Sequence, residues 1–226
     1  MHIEDSEMKE KEVRGKIKAV IFDIGSVLVL SKQTLKVING KRYYLGVHES
    51  IARKLGISLD QWLDTLEFPY SKSYVGKISE AQTVSVISKN LNCNPPKLKK
   101  VIVETYKENF KQNTELYKFA FKLKKQGYKI AILSDQWQLS KEAVVDPKLM
   151  AKFNLVIISC DVGLRKPDLP IYKLTLKKLG LKPQECVFID NQTWNLTPAK
   201  KLGMEAILFK TNKQVFKQLF KIGVKV

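Results

Sequence analysis

Apolar and polar positions alternate in two rhythms along this chain. Short β-branched runs occur at Ile17-Lys-Ala-Val-Ile-Phe22, Tyr128-Lys-Ile-Ala-Ile-Leu133, Asn154-Leu-Val-Ile-Ile158, Cys186-Val-Phe-Ile189 and Glu205-Ala-Ile-Leu-Phe209. Each is bounded by polar or turn-forming residues and predicts a strand. Between the later strands lie helical stretches, one from Glu115 that stops at Gly127 and one from Leu169 to Leu179 closed by Gly180. A glycine just past the last helical residue accepts the left-handed conformation that ends a helix. Strands alternating with helices predict a parallel sheet with right-handed crossovers.

From Ser31 to Asn113 the rhythm is helical and no strand is expected. Ser58-Leu-Asp-Gln61 and Ser79-Glu-Ala-Gln82 read as capping boxes, each opening an amphipathic stretch. Asn94-Pro95 supplies a cap and a first-turn proline for a helix running through Val101 to Phe110. Thr211-Asn-Lys-Gln214 is a further box after the last strand. The expected organisation is a core of residues 1–30 and 114–226, with residues 31–113 inserted after the first strand as a separate helical cap.

The 226 residues suffice for one α/β core with a small accessory domain, and 44% hydrophobic with 27% charged residues is a globular balance. No apolar run reaches the roughly 20 residues of a membrane span. Met1 to Lys16 are charged throughout, with acids among the bases, so neither a secretory signal nor a transit peptide is expected, and with no spanning run no membrane partner is expected. Cys93, Cys160 and Cys186 are widely spaced and lack metal-ligand spacing, and Cys186 sits in an apolar run. A reducing cytoplasm is the expected setting. The net charge of +18 raises the question of nucleic acid, but arginine supplies only four of the 40 basic residues: Arg14, Arg42, Arg53 and Arg165. Lysines scattered as in Lys97-Lys99-Lys100, Lys122-Lys124-Lys125 and Lys177-Lys178 favour solvated helix faces over a nucleic-acid surface. Attraction for small anionic substrates follows in either case.

Four polar residues stand at or just after predicted strand exits: Asp23, Ser134, Lys166 and Asp190. In open parallel sheets ligands bind beyond the carboxyl ends of the strands. Two carboxylates, a hydroxyl and an ammonium converging there suit phosphoryl transfer: one carboxylate attacks, the other helps hold Mg²⁺, and the hydroxyl and ammonium bind phosphoryl oxygens.

The motifs carry a resemblance. Phe22-Asp-Ile-Gly-Ser-Val27, Ile132-Leu-Ser134, Gly163-Leu-Arg-Lys-Pro-Asp168 and Val187-Phe-Ile-Asp-Asn191 resemble, in order, the four motifs of the haloacid dehalogenase (HAD) superfamily. The resemblance covers nearly the whole chain and implies a Rossmann-like α/β core with an inserted all-helical cap. It implies a Mg²⁺-dependent phosphatase acting on a small phosphorylated metabolite such as a sugar phosphate. Asp23 would form an aspartyl-phosphate, with Ser134 and Lys166 binding the phosphoryl group. Asp23, the carbonyl of Gly25, Asp190 and Asn191 would hold Mg²⁺. Ser134, Asp135 and Lys166 make up the substrate-side set, and Arg42, Tyr43, Tyr44 and Tyr74 are candidate cap contacts.

Several positions depart from the family pattern. Gly25 stands where such phosphatases usually carry a general acid, and glycine there resembles a branch of helical-capped sugar-phosphate phosphatases. A positive φ at Gly25 would make aspartate hard to accommodate. Asn191 stands where a second acid is common. Asp135, where relatives often have Asn, is expected to point away and cap the helix Gln138 to Lys141, with a displaced general acid as the alternative. Trp194, expected to pack, and Asn195 also resemble the metal-independent 2-haloacid dehalogenases, although Asp190 would there be Ser. A dehalogenase-like hydrolase and a non-catalytic binding protein on the same scaffold therefore remain open.

Overall fold

The computed structural model describes the backbone of residues 17–31, 34–38 and 41–225, and side chains for 17–31 and 46–225. The expectation for Met1 to Lys16 and the side chains of Arg42, Tyr43 and Tyr44 lie outside these described residues. In chain order the elements are β1 (Ala19–Phe22), β2 (Val29–Ser31), β3 (Thr34–Ile38), β4 (Lys41–Leu45), α1 (Val47–Leu55), α2 (Leu59–Tyr74), α3 (Glu80–Asn90), α4 (Pro95–Asn109) and β5 (Phe110–Gln112). They continue with α5 (Thr114–Lys125), β6 (Lys129–Ser134), α6 (Gln138–Val144), α7 (Pro147–Met150), β7 (Leu155–Ile158), α8 (Ser159–Val162) and α9 (Leu169–Leu179). After a short 3₁₀ turn come β8 (Cys186–Asp190), α10 (Thr193–Lys201), β9 (Glu205–Leu208) and α11 (Asn212–Lys221).

The main sheet has the order β7-β6-β1-β8-β9 with every pairing parallel. Alternate residues along its strands feed two apolar layers. Val20, Phe22, Ile130, Ile132, Val187 and Ile189 pack with Leu116, Ala120 and Leu219 of α5 and α11 on one face. Ala19, Ile21, Ala131, Leu133, Cys186 and Phe188 pack with Ile171, Tyr172, Leu196 and Ala199 of α9 and α10 on the other. Burial on both faces is why these strands read as continuous apolar runs. From β1 the chain moves through β6 to β7, then crosses back to β8 on the opposite side of β1. That reversal opens the crevice where open α/β sheets bind ligands.

The segment between β1 and α5 corrects the expectation of an all-helical insert. β3 and β4 form an antiparallel hairpin, with Thr34 opposite Leu45 and Ile38 opposite Lys41. Asn39-Gly40 between the two strands is the strongest short hairpin signal a sequence can carry, and Thr34-Leu-Lys-Val37 before it alternates polar and apolar. β2 pairs antiparallel with β5, so the chain entering the insert is bonded to the chain leaving it. Strands of three residues lack a readable period, which hides such a pairing from the sequence.

The helices α1 to α4 keep their own apolar cluster, built on Ile51, Trp62, Leu66, Ile87, Leu98, Ile102 and Tyr106. Trp137 and Leu139, from the segment after β6, complete it. The Trp137 indole N–H donates to Tyr106 Oη at 3.1 Å, satisfying a polar group that burial would otherwise strand. Of the expected capping boxes, Ser79 and Gln82 exchange both bonds, whereas at Ser58 the hydroxyl accepts from the Gln61 amide. Lysines expected on solvated faces are exposed at Lys97, Lys100, Lys122, Lys124, Lys125, Lys177 and Lys178. Among the described residues all three cysteines are free, and no helix is long and apolar enough to cross a membrane.

Candidate active site

Strand register places the site. Phe22 lies level with Ile132 on β6 and Ile189 on β8, and the Asp23 amide donates to the Ile189 carbonyl at 2.9 Å. Asp23, one residue beyond β1, therefore comes level with Asp190, the last residue of β8. Ser134 ends β6 on the other side. Lys166 arrives from the loop between α8 and α9. All four are buried: Asp23 is 7% exposed, Lys166 2%, and Ser134 and Asp190 0%. A surface lysine or a solvent-facing cap would look nothing like this.

The Lys166 ammonium bridges the carboxylates, 3.1 Å from Asp23 Oδ1 and 2.6 Å from Asp190 Oδ2. Asp23 Oδ1 also accepts the Ile24 amide at 2.7 Å. Asp190 is more heavily held. Its Oδ1 accepts the Gln192 amide at 2.8 Å, and Asn195 Nδ2 lies 3.2 and 3.1 Å from its two oxygens. Asn195, weighed in the sequence only at a dehalogenase position, is thus the residue that orients Asp190. Its own carbonyl accepts the Tyr172 hydroxyl at 2.7 Å, which ties that orientation to α9. A second network fixes Ser134. Gln136 Nε2 donates to Ser134 Oγ at 3.2 Å, and Ser140 Oγ donates to Gln136 Oε1 at 2.7 Å. With Oγ accepting from Gln136, the Ser134 hydroxyl still donates, and its hydrogen bond to Asp23 favours the charged carboxylate. Asn195 is marked in the sequence by the dehalogenase-like stretch alone, and Gln136 belongs to no motif; only its proximity to a strand end could have drawn attention to it.

Asp135 corrects the expectation of a helix cap. The residue preceding α6 is Trp137, with no side-chain cap bond, and Asp135 Oδ1 accepts the Lys166 backbone amide at 3.1 Å. Trp194, expected to pack, is 59% exposed; it sits on the outer face of the first turn of α10. Gly25 also departs from expectation. Its φ lies outside the left-handed region, and a Cβ added there meets nothing within 4 Å. Gly25 bridges to Val29 through the Ile24 carbonyl and the Ser26 amide, which leaves its own carbonyl outside that ladder.

Charge is unevenly balanced. Asp23, Asp135 and Asp190 face Lys166 and Arg165, two cations against three anions. Burial pushes the Asp23 carboxyl up from 3.8 to about 6, opposed by Lys166 and reinforced by Asp190. Asp135 is raised too, by burial, with Lys166 and Arg165 pulling it down. The Lys166 ammonium is raised: burial opposes its charge, and Asp23, Asp190 and Asp135 outweigh that. Among the described residues no three His, Cys, Asp or Glu side chains are grouped to hold a metal by themselves. Magnesium does not need such a cage, since it takes one or two carboxylates and completes its shell with water and phosphate oxygen. The donors here are hard oxygens carrying uncompensated negative charge, and they fit that ion.

A cleft of about 310 Å³ opens over the site, lined by Asp23, Gly25, Asp135, Asn191, His48 and Tyr106 among others. A neighbouring space of about 420 Å³ shares His48, Tyr70, Tyr74 and Asp135 with it and extends to Arg165. Tyr74, expected as a cap contact, thus lines both.

The chain is similar to several known proteins. The chain is 28% identical to bifunctional epoxide hydrolase 2 of Sus scrofa over 91% of its own length, but it spans only 39% of that protein. It is 27% identical to a glyceraldehyde 3-phosphate phosphatase of Methanocaldococcus jannaschii, covering 83% of this chain and 82% of that one. An HAD family enzyme of Bacteroides thetaiotaomicron, solved in complex with magnesium and inorganic phosphate, has the same fold. Its TM-score is 0.67 at 20% identity, covering 87% of this chain and 96% of that one. With a family model matching residues 17–203, the chain belongs to the haloacid dehalogenase-like hydrolases.

Proposed function

We propose that this hydrolase is a Mg²⁺-dependent phosphatase that removes a phosphoryl group from a small organic phosphate through an aspartyl-phosphate at Asp23. The observation that carries this reading is the bridging of two buried strand-end carboxylates by one buried ammonium at the floor of an open cleft. Relatives that act on or bind phosphate compounds support it. Asp23 attacks phosphorus. The Ser134 hydroxyl, held by Gln136, donates to a phosphoryl oxygen, and the Lys166 ammonium offsets charge on the phosphoryl group and on Asp23 together. Asp190, oriented by Asn195, would hold the metal with Asp23, the Gly25 carbonyl and Asn191. When bound, the ion supplies positive charge against the phosphoryl oxygens. Phosphate release from substrate is expected with Mg²⁺ and is expected to be lost in EDTA and regained when Mg²⁺ is restored. Full turnover in chelator, with halide released from 2-haloacids, would instead give the dehalogenase reading.

No acid stands at position 25, so the leaving alcohol receives no proton from there. Aryl phosphates, whose leaving groups need little protonation, are expected to turn over faster than primary alkyl phosphates. Because the backbone and the space at Gly25 accept a side chain, Gly25→Asp is expected to raise kcat on alkyl phosphates about tenfold or more, and on aryl phosphates far less. Steady-state rates on a matched alkyl and aryl pair check this. Equal gains on both would remove proton delivery as the missing function.

A further inference from the structure

Part of the cleft lining is aromatic, and several of its polar groups are bonded to one another. Tyr70 and Tyr74 hydroxyls share a hydrogen bond at 3.1 Å, and Tyr106 Oη accepts the Trp137 indole N–H. His48, on the first turn of α1, sits among these rings. Its centroid is 5.7 Å from Tyr70 and 6.3 Å from Tyr106, both edge-on. The Trp62 indole N–H donates to His48 Nδ1 at 3.1 Å. An acceptor nitrogen carries no proton, so the neutral imidazole bears its hydrogen on Nε2. Burial holds His48 below its usual range, which keeps it in that neutral form.

The described hydrogen bonds leave Nε2 unused. His48 is half-buried, and Nε2 is not among the solvent-excluded side-chain atoms that lack a partner. His48 lines both parts of the cleft. It is therefore a fixed donor on the aromatic wall, without a partner among the described residues, and the reaction proposed above does not use it.

We infer that the cleft receives the organic part of its phosphate ester as a flat ring bearing a hydrogen-bond acceptor, and that His48 reads the acceptor through Nε2–H. This rests on the phosphatase reading for the phosphate end. Flat rings pack against edge-on aromatic walls with little loss of freedom. A sugar phosphate, expected from the family resemblance, is matched less well. On the aromatic side its hydroxyls would meet tyrosines already bonded to each other, leaving partners only at other lining residues such as Gln136, Ser140, Asn191 and Gln192. A second phosphate is disfavoured as well, since Asp135 and Glu67 line the outer part along with Arg165.

The test uses phosphonates, which bind without turning over, titrated calorimetrically into the full chain with Mg²⁺. The probes are 2-naphthylmethylphosphonate, quinolin-6-ylmethylphosphonate and hexylphosphonate. The naphthyl compound is expected to bind at least tenfold tighter than the hexyl one, and the quinolinyl compound at least fivefold tighter again. His48→Asn keeps an oxygen near the Nδ1 position for Trp62 and removes the Nε2 donor. It is expected to erase the quinolinyl preference, and His48→Gln, whose amide reaches the Nε2 position, is expected to restore part of it. Equal binding of naphthyl and hexyl compounds overturns the ring; an unchanged quinolinyl preference in His48→Asn overturns the role of His48. The corresponding alcohols separate the two proposals. If 2-naphthylmethanol outcompetes hexanol while no phosphonate outcompetes its alcohol, ring recognition stands and the phosphatase reading falls.

Discussion

Replacing Lys166 with methionine is expected to destabilise the protein by about 3–5 kcal/mol at pH 7.5, the usual cost of removing one partner from a buried ion pair. The ammonium has no solvent to replace it. It lies within 3.1 Å of Asp23 and 2.6 Å of Asp190, and without it two carboxylates on adjacent strand ends face each other uncompensated. The pH dependence identifies the cause. Lys166 holds the Asp23 carboxyl down to about 6, so its loss lets Asp23 rise further. The folded variant then takes up a proton more readily than the unfolded chain, and its deficit shrinks as pH falls. Chemical denaturation of both proteins at pH 7.5 and pH 5 checks this. An equal deficit at both values would point to lost packing of the lysine stem instead. On the proposed reading, turnover in Lys166→Met is lost as well.

Asp23→Asn is expected to leave less than 1% of phosphatase turnover, about two decades or more, because an amide oxygen is a poor nucleophile toward phosphorus. The same change is expected to stabilise the metal-free fold. An acid whose pKa is raised on folding contributes stability that is present below its unfolded value of 3.8 and is lost as pH rises through about 6. At neutral pH that loss is on the order of 3 kcal/mol. A neutral amide does not carry it, so the variant should melt higher than wild type at pH 7.5 without metal, with the gap closing toward pH 4. Thermal melts in EDTA across that range are the measurement. A variant both inactive and less stable would mean that the carboxylate is structural. Activity purchased at the expense of stability is common where like charges are gathered.

Both experiments act on groups that were legible in the sequence, and the reason is local. A buried parallel strand must be a run of apolar residues, so a carboxylate at its end, as at Asp23 and Asp190, is conspicuous against it. The order of strands and helices, the cap glycine Gly180 and the one-residue sharpness of α9 were legible for the same reason: periodicity and caps act within a few residues. The hairpin β3–β4 is marked locally by Asn39-Gly40, but the capping boxes that follow it carry a stronger helical signal.

What only the tertiary structure decided depends on contacts between distant segments. Nothing local distinguishes Asp135 as a cap from Asp135 as the acceptor of the Lys166 amide, since that amide lies 31 residues away. Asn195 orients Asp190 because α10 packs its first turn against the end of β8. His48, Tyr70, Tyr74 and Tyr106 form one wall because three helices, α1, α2 and α4, bring them there. The sequence determined a sheet with carboxylates at its strand ends, since those signals are local. Which side chains orient them, and what shape of molecule can stand over them, is set by packing between segments, and no pattern within a segment encodes it.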